Sequence, residues 1–408
     1  MERSVVGDVV IVGAGISGIQ ASLDLAESGF RVYLVDKAPA IGGHMAQLDK
    51  VFPTNDCSMC IESPKFVECD RHPNIEILTN AEIEAIEGEP GEFTITLRKR
   101  PKYVVEDTCT GCGVCTLYCP VTIPNPYDQG LSSTKAIHVQ FSQAVPKSAY
   151  IDPDACLYFQ EKKCVICKGV CQERAIDYSQ KDRRIEVQAG AVILSPGYQP
   201  FDPRPRADYG YGKTDDVVTA LEFERILNAD GPYRGTVLRP SDGRPPKKIA
   251  WVQCVGSRQV TPGGHSYCSS VCCMYAIKQM ILAKERDSEI EATIFHNDIR
   301  AHGKEFEQFY QRARALPGTH FIRSYVSMGH GVPESGNPTI RYSRGGHVSE
   351  EDFDMVVLSV GMTPPRGIEE ISERLGIETS AHGFCKVDGS SPLHTSREGV
   401  FAAGAFTG

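Results

Sequence analysis

The chain has 408 residues, of which 41% are hydrophobic and 23% are charged. This composition excludes global disorder and supplies enough apolar surface for two or three domains. The formal net charge is −9, from 43 Lys and Arg against 52 Asp and Glu, which argues against a nucleic-acid-binding protein because phosphate neutralisation requires clustered basic residues. No apolar run reaches the roughly 20 residues of a membrane span, and the acidic N-terminus does not resemble a secretory signal.

The N-terminal segment carries a dinucleotide-binding pattern. A β-branched run leads into Gly13, Gly15 and Gly18 with the spacing G-x-G-x-x-G, a helical pattern follows, and a second strand at 31–35 ends in Asp36. In this order the glycines let the backbone approach a pyrophosphate at the helix N-terminus, and the acid accepts hydrogen bonds from an adenosine ribose. The alternative is a structural glycine turn.

The same domain is expected to return later in the chain. Three further buried strands each end in a glycine, at 191–197, 355–361 and 399–404. The pattern resembles that of flavoproteins with two dinucleotide domains, such as thioredoxin reductase, in which the last strand carries the flavin ribitol. The resemblance implies an α/β fold of this type that binds FAD. It places four further glycines at the cofactor: Gly42, Gly43, Gly197 and Gly404.

Cysteine is the most unusual feature of the composition, with 16 residues. Most of them fall into three tight groups. Without a secretory signal, the pattern predicts metal ligands in a reducing, cytoplasmic environment and not a disulfide framework.

Two of the groups are ferredoxin-like runs. The first has the spacing C-x2-C-x2-C-x3-C followed by proline, and the second has a longer first gap. The first run is Cys109, Cys112, Cys115 and Cys119; the second is Cys156, Cys164, Cys167 and Cys171. Because the fourth cysteine of such a run ligates the other cluster, Cys171 is assigned to the first 4Fe–4S cluster and Cys119 to the second. The alternative is a pair of zinc ribbons.

The third group is Cys254, Cys268, Cys272 and Cys273. Cys254 lies at the end of a strand predicted at 248–252, and the other three lie at the start of a helix predicted near 271–286. Thiols that converge where a strand ends and a helix begins fit a third cluster, and the alternatives are buried small hydrophobic residues or a redox disulfide. The turn at 253–258 lacks the phosphate-binding glycines of a second dinucleotide site. The site is therefore predicted to relay electrons and not to bind a nicotinamide nucleotide.

Four cysteines lie outside these groups. Cys57 and Cys60 form a C-x2-C pair that fits a redox dithiol, a partial metal site or ordinary loop thiols. Cys69 and Cys385 are isolated in the sequence and are predicted to be structural.

In the predicted domain order, two other domains are inserted into the FAD-binding domain. An FAD-binding domain occupies 1–100, 181–245 and 351–408. A ferredoxin-like α+β domain is inserted at 101–180, and a second dinucleotide-like domain with the third cysteine group lies at 246–350.

Over nearly the whole chain, these motifs are similar to those of the heterodisulfide reductase A subunit family and of the closely related quinone-modifying oxidoreductases. The matching segments include 41–48, 56–60, 254–258 and 267–275, and the last two together form the most specific motif. The resemblance implies an oxidoreductase component with FAD and iron–sulfur clusters, including one on the third group. In that family the flavin can split electron pairs, sending one electron to a low-potential ferredoxin. The implied partners are other heterodisulfide reductase-like subunits in an oligomeric complex, with a hydrogenase, formate dehydrogenase or ferredoxin as electron donor or acceptor.

Two other functions compete with this interpretation: a cluster-bearing scaffold without a substrate of its own, and a nicotinamide-dependent reductase, which the missing second glycine turn disfavours. Two departures from the family pattern also matter. Ala405 follows Gly404 where many flavoproteins have an acid, so backbone amides are expected to serve the flavin there. Family members continue beyond the position of Gly408 with a helix that faces the flavin, so a truncated chain is expected.

Overall fold

The computed structural model describes residues 7–260, 263–328 and 336–408, so most of the N-terminal residues used above against a secretory signal lie outside the described part. The helices are α1 (Ile16–Glu27), α2 (Ser58–Arg71), α3 (Val114–Tyr118), α4 (Leu157–Glu161), α5 (Ile166–Val170), α6 (Ala220–Leu227), α7 (Cys272–Arg286), α8 (Phe306–Arg314) and α9 (Ile368–Leu375).

The strands form two five-stranded parallel sheets and several antiparallel sheets of two or three strands. They are β1 (Val9–Val12), β2 (Val32–Val35), β3 (Ile75–Leu78), β4 (Ala81–Glu89), β5 (Glu92–Lys99), β6 (Thr122–Pro124), β7 (Ser133–Lys135), β8 (Ile137–His138), β9 (Tyr150–Ile151), β10 (Arg183–Ala189), β11 (Ala191–Leu194), β12 (Gln199–Pro200), β13 (Val217–Thr219), β14 (Lys248–Val255), β15 (Glu291–His296), β16 (Thr319–Arg323), β17 (Val326–Met328), β18 (Thr339–Arg344), β19 (His347–Asp352), β20 (Met355–Val360), β21 (Met362–Thr363) and β22 (Val400–Ala402).

The chain divides into two compact units. Unit 1 comprises residues 1–46, 59–198 and 364–408, and unit 2 comprises residues 47–58 and 199–363. Each contains its own parallel sheet, as expected for a fold with two dinucleotide-type domains.

Unit 1 is built on a parallel sheet with the strand order β22-β11-β1-β2-β3. Its central strand β1 pairs with β11 and β2, with Val9 opposite both Ala191 and Val32. Because this strand is covered on both faces, its sequence is a continuous apolar run and not an alternating one. Helix α1 follows β1 directly and packs Ile19 and Leu23 into the core.

A second, antiparallel sheet in unit 1 has the order β10-β5-β4. Strands β5 and β10 pair with each other, with Lys99 opposite Arg183. The predicted ferredoxin-like insertion lies between these two positions. It has its own small core around Val104 and Ile176, and it consists of short helices and the two hairpins β6-β7 and β8-β9.

Unit 2 is built on a parallel sheet with the order β13-β20-β14-β15-β16. This sheet corrects the predicted domain boundaries. Strand β20 pairs with β13 and β14, and residues 199–245 and 351–363 belong to unit 2 and not to the FAD-binding domain. The physical reason is that β20 is buried throughout, and a wholly apolar strand fits the middle of either parallel sheet.

Among the described residues, no helix combines the length and the apolar character needed to cross a membrane.

Candidate cofactor sites

The first candidate site is the turn between β1 and α1 in unit 1. Gly15 is the N-cap of α1. Asp36, at the end of β2, accepts hydrogen bonds from the backbone N–H groups of Ala14 at 2.6 Å and Ala38 at 2.8 Å. Burial raises the pKa of this carboxyl, although the two backbone donors oppose the shift. The acid predicted to bind ribose thus also holds the glycine turn in place.

The glycines of this turn have two different roles. A Cβ on Gly18 would lie 1.9 Å from the Gly13 carbonyl oxygen, and one on Gly13 would lie 2.2 Å from the Ser195 carbonyl oxygen, so both positions require glycine for close backbone packing. A Cβ on Gly15 would have no neighbour closer than 4.0 Å, and one on Gly197 would have none within 4 Å. These two glycines border open space, which fits a bound phosphate or flavin group.

The segment after β2 completes this cradle. The N–H group of Gly42 donates to the Ala14 carbonyl at 2.7 Å, and Gly42 forms a parallel bridge with Gly15. A Cβ on Gly43 would lie 3.0 Å from the Cα atom of Gly15. One on Gly404 would meet the Ser17 hydroxyl at 2.4 Å. The predicted glycines therefore come together around the start of α1.

His44 follows these glycines and was not predicted as a site residue. Its ring lies 4.8 Å from that of Tyr198, the residue after Gly197. Burial lowers the pKa of His44 to about 4, so the ring is neutral at physiological pH. A neutral imidazole can accept a hydrogen bond from a ligand without adding charge.

The second candidate site is a cavity of about 160 Å³ in the insertion. It is lined by three cysteines of the first run together with the fourth cysteine of the second run: Cys109, Cys112, Cys115 and Cys171. The N–H group of Ala175 points at the Cys171 sulfur at 3.4 Å. Burial, together with the neighbouring Cys109 thiol, raises the pKa of Cys115 to about 11.

The third candidate site is a narrower cavity of about 10 Å³ nearby in the same insertion. It is lined by the complementary set: Cys119, Cys156, Cys164 and Cys167. Tyr178, which the sequence did not single out, also lines the cavity, and its hydroxyl lies 2.9 Å from the Cys167 sulfur. A hydroxyl hydrogen bond to a ligand sulfur is one way a protein adjusts a cluster's potential.

The fourth candidate site, in unit 2, lies between the end of β14 and the start of α7. Burial, together with the nearby thiols of this group, raises the pKa of Cys272 to about 12 and that of Cys273 to about 11. Backbone N–H groups donate to the sulfurs: Ser270 to Cys268 at 3.4 Å, and Arg300 to Cys273. The predicted four thiols are therefore neighbours, with donors already directed at two of them.

The backbone around this site is strained. Cys254, Arg258 and Ser270 have φ angles of 63°, 56° and 62°, a left-handed conformation that side chains other than glycine, asparagine and aspartate rarely adopt. Strain of this kind persists only where the surrounding structure enforces it, and it concentrates at functional sites. Helix α7 begins at Cys272, well after the strand, so the turn has a different construction from a nucleotide-binding glycine turn.

Each proposed ligand set consists of four thiols, the donor type that iron–sulfur clusters use. Across the described ranges, no three Cys, His, Asp or Glu side chains converge closely enough to share one metal ion. In a 4Fe–4S cube each thiolate binds a different iron, so the four sulfurs stay further apart.

The remaining cysteines separate into two kinds. Cys57 and Cys60 are each disulfide-bonded, whereas Cys69 and Cys385 are free and buried. Cys69 packs in the core beside α1, as predicted for a structural residue.

Comparison with known proteins supports the fold and the first site. A family model described as FAD dependent oxidoreductase matches residues 8–147. The thioredoxin reductase of Lactococcus lactis matches 98% of this chain and 90% of its own, with a TM-score of 0.52 and 14% identity. That of T. acidophilum matches 98% and 91%, with a TM-score of 0.50 and 16% identity. The chain therefore has the predicted thioredoxin reductase-like fold.

Curated relatives are more similar in sequence. The A subunit of the H(2):CoB-CoM heterodisulfide,ferredoxin reductase of Methanothermobacter marburgensis is 44% identical over 99% of this chain and 61% of its own length. The iron–sulfur A subunit of the CoB–CoM heterodisulfide reductase of Methanocaldococcus jannaschii is 43% identical over 98% of this chain and 60% of its own length. The chain spans about three fifths of the length of these relatives, and over nearly all of its residues it is homologous to the A subunit of heterodisulfide reductases.

Proposed function

We propose that the chain is the flavin- and cluster-carrying electron-transfer part of a heterodisulfide reductase-like complex. The observation that carries the proposal is the exchange of cysteines in the insertion. One cavity takes Cys171 from the second run and the other takes Cys119 from the first, as expected for a two-cluster ferredoxin. A pair of independent zinc ribbons gives no reason for such an exchange.

In this proposal FAD lies on the glycine turn of unit 1. Bound FAD supplies the exchange between two-electron and one-electron transfer. The chain's own residues bind and orient it: the N-terminus of α1 and the amide groups beside Gly15 face the pyrophosphate, and Asp36 receives the ribose. His44 and Tyr198 directly follow two of the proposed cofactor glycines, Gly43 and Gly197, and their rings lie 4.8 Å apart.

Three 4Fe–4S clusters receive the electrons in this proposal. Their ligand sets are Cys109, Cys112, Cys115 and Cys171; Cys119, Cys156, Cys164 and Cys167; and Cys254, Cys268, Cys272 and Cys273. The raised pKa values of the buried thiols mean that cluster assembly must displace protons. The grouped thiols favour a reducing compartment, and hence the cytoplasm.

The proposed partners follow from the relatives. One relative, from Methanosarcina acetivorans, is named as the A subunit of a Ferredoxin/F(420)H(2)-dependent CoB-CoM heterodisulfide reductase. We therefore expect this chain to work with further reductase subunits and to exchange electrons with a ferredoxin, a hydrogenase or a formate dehydrogenase. Electron bifurcation at the flavin belongs to the same proposal, and membership of a quinone-modifying oxidoreductase is the second candidate.

The test is anaerobic purification of the full chain with quantification of iron, sulfide and FAD. The expected result is one FAD and about twelve irons per chain, with matching sulfide. Paramagnetic resonance of the reduced protein should then show 4Fe–4S signals. Stoichiometric zinc with little sulfide would contradict the proposal. NADH and NADPH should not reduce the flavin, and rapid bleaching by either would favour the nicotinamide-dependent alternative.

A further inference from the structure

We propose that Arg258 sets the reduction potential of the cluster at the third cysteine group, with Asp298 as its counter-charge. The inference rests on the proposed function, because it requires a cluster on Cys254, Cys268, Cys272 and Cys273. It assigns a role to two residues outside the ligand set.

The first observation is the contact between Arg258 and Cys254. Arg258 follows Cys254 in a tight turn in which the Ser257 N–H group donates to the Cys254 carbonyl at 3.1 Å, and the nearby guanidinium opposes the rise that burial causes in the pKa of the Cys254 thiol. A cation next to a ligand sulfur favours the more negative charge state of the site. Arg258 therefore acts directly on one of the four proposed ligands.

The second observation is that the guanidinium is held in place. Arg258 Nη1 lies 2.5 Å from Asp298 Oδ1, and the Arg258 side chain is 26% exposed. The Arg258 backbone N–H group also donates to the Tyr267 carbonyl at 2.8 Å, one residue before Cys268. A cation fixed in this way acts as a permanent charge and not as a mobile surface group.

The third observation concerns Asp298, which reaches the thiols from another element. It lies in the loop after β15, and its backbone carbonyl accepts from the Cys273 thiol at 3.8 Å. Its carboxylate raises the pKa of both Cys254 and Cys273. Arg300, 3.7 Å from the same carboxylate, is a further charged group at this end of the loop. The two charges of the Arg258–Asp298 pair therefore act on the site with opposite signs.

Reduction of a cluster adds one negative charge to it. A nearby cation stabilises the reduced state and raises the potential, whereas a nearby anion lowers it. Neutralising Arg258 and neutralising Asp298 should consequently shift the potential in opposite directions. Loss of structure or of packing would not produce opposite shifts of this kind.

The experiment is a potentiometric titration of the anaerobically loaded full chain, monitored by paramagnetic resonance. Cys272→Ala identifies which signal belongs to the third group. Arg258→Gln should shift the reduction equilibrium of that cluster at least tenfold toward the oxidised state. For one electron this lowers the midpoint potential by about 59 mV or more. Asp298→Asn should raise it. Arg258→Lys keeps the charge and should stay close to wild type.

The matched control is Arg341→Gln, which removes an exposed arginine from β18 of the same unit. Iron content and thermal melting are measured for every variant. An Arg258→Gln potential equal to that of the control would overturn the proposal, as would an Arg258→Lys variant shifted as far as Arg258→Gln. Absence of the third signal from the wild-type chain would instead contradict the proposed function itself, so the two failures are distinguishable.

Discussion

Lys278 and Glu224 form an ion pair in the interior of unit 2, with Lys278 Nζ 2.7 Å from Glu224 Oε1 and side chains that are 2% and 3% exposed. The pair joins α7 to α6. Lys278 also donates to the Lys50 carbonyl at 2.6 Å, and Gln279 donates to the same carboxylate at 2.7 Å. Helix α7, which begins with two cysteines of the third group, is therefore anchored through buried polar contacts as well as apolar packing.

Removing one partner of this pair should be costly, because it leaves a buried charge without compensation. Lys278→Ala is expected to lower the free energy of unfolding by about 3–5 kcal/mol. Lys304→Ala, at an exposed position of the same unit, should change it by about 0.5 kcal/mol or less. Chemical denaturation of both variants measures the difference, and equal stabilities would show that the pair contributes little.

The glycine turn of unit 1 allows a test that separates cofactor binding from folding. In Gly15→Ala the added methyl group has no neighbour within 4 Å except the Cα atom of Gly43 at 4.0 Å, so the chain should still fold. The methyl would occupy the space proposed for the pyrophosphate, and FAD affinity should fall at least tenfold.

Gly7→Ala is the control for this substitution, since its methyl group also meets nothing within 4 Å but lies before β1. Flavin content and equilibrium binding of FAD to the apoprotein are the measurements. Normal flavin binding by Gly15→Ala would exclude this turn as the pyrophosphate site.

The crossed ligand sets of the insertion predict that one cysteine is needed for the cluster held by the other run. Cys171→Ala should remove the cluster held by Cys109, Cys112 and Cys115, although Cys171 belongs to the other run. About four irons per chain should be lost. Cys385→Ala, which removes a buried cysteine from unit 1 outside the proposed ligand sets, should leave the iron content unchanged. If Cys171→Ala instead abolished the signal of the cluster bound by Cys156, Cys164 and Cys167, the crossed ligand assignment would be wrong.

The buried carboxyl group of Glu62 should make the stability of the folded chain depend on pH. It is fully buried on α2, neither carboxyl oxygen has a hydrogen-bond partner in the structure, and burial raises its pKa from 4.5 to about 8. Since the folded state holds the proton more tightly than the unfolded state, this contribution to stability is complete below pH 4.5 and is lost as pH rises to about 8. The loss should be about 1 kcal/mol per pH unit, and it should level off at higher pH.

Glu62→Gln should remove this slope, because the amide cannot ionise. The variant should gain stability relative to wild type between pH 5 and 8, measured by denaturation of the FAD-loaded chain at several pH values. Glu68→Gln, at an exposed position of the same helix, is the control. A constant difference between Glu62→Gln and wild type over this range would mean that Glu62 ionises normally.

The sequence predicted those parts of the fold that local patterns determine. The strand, glycine turn and helix around Gly13 were predictable because buried parallel strands give continuous apolar runs and only glycine permits the close backbone approach. The same holds for α7, predicted at 271–286 and found at Cys272–Arg286. Strand β20 was assigned to the wrong sheet, because an entirely apolar strand carries no information about which of two parallel sheets it joins.

The side-chain environment of the sites was less predictable. The three cysteine groups were recognisable from their spacing, since each group is local in sequence, whereas the assignment of ligands to clusters stays a prediction. Tyr178 at Cys167 and Asp298 beside Arg258 are contacts between segments that are distant in sequence, and no local pattern marks such residues. Glu62 was missed for a different reason: an acidic residue on a helix normally faces solvent, and the sequence around it gives no sign that it is buried.

The exchange of Cys119 and Cys171 between the two cavities has a consequence for biogenesis. During synthesis the first run leaves the ribosome before Cys171 exists, so under the proposed ligand sets the first cluster cannot be completed before Cys171 has been made, and the second cannot be completed before Cys167 has been made. Cluster loading then reports that the insertion has been synthesised as far as Cys171. A chain that ended before Cys167 would lack a ligand for both clusters at once, so completed iron loading would indicate that this part of the domain is intact.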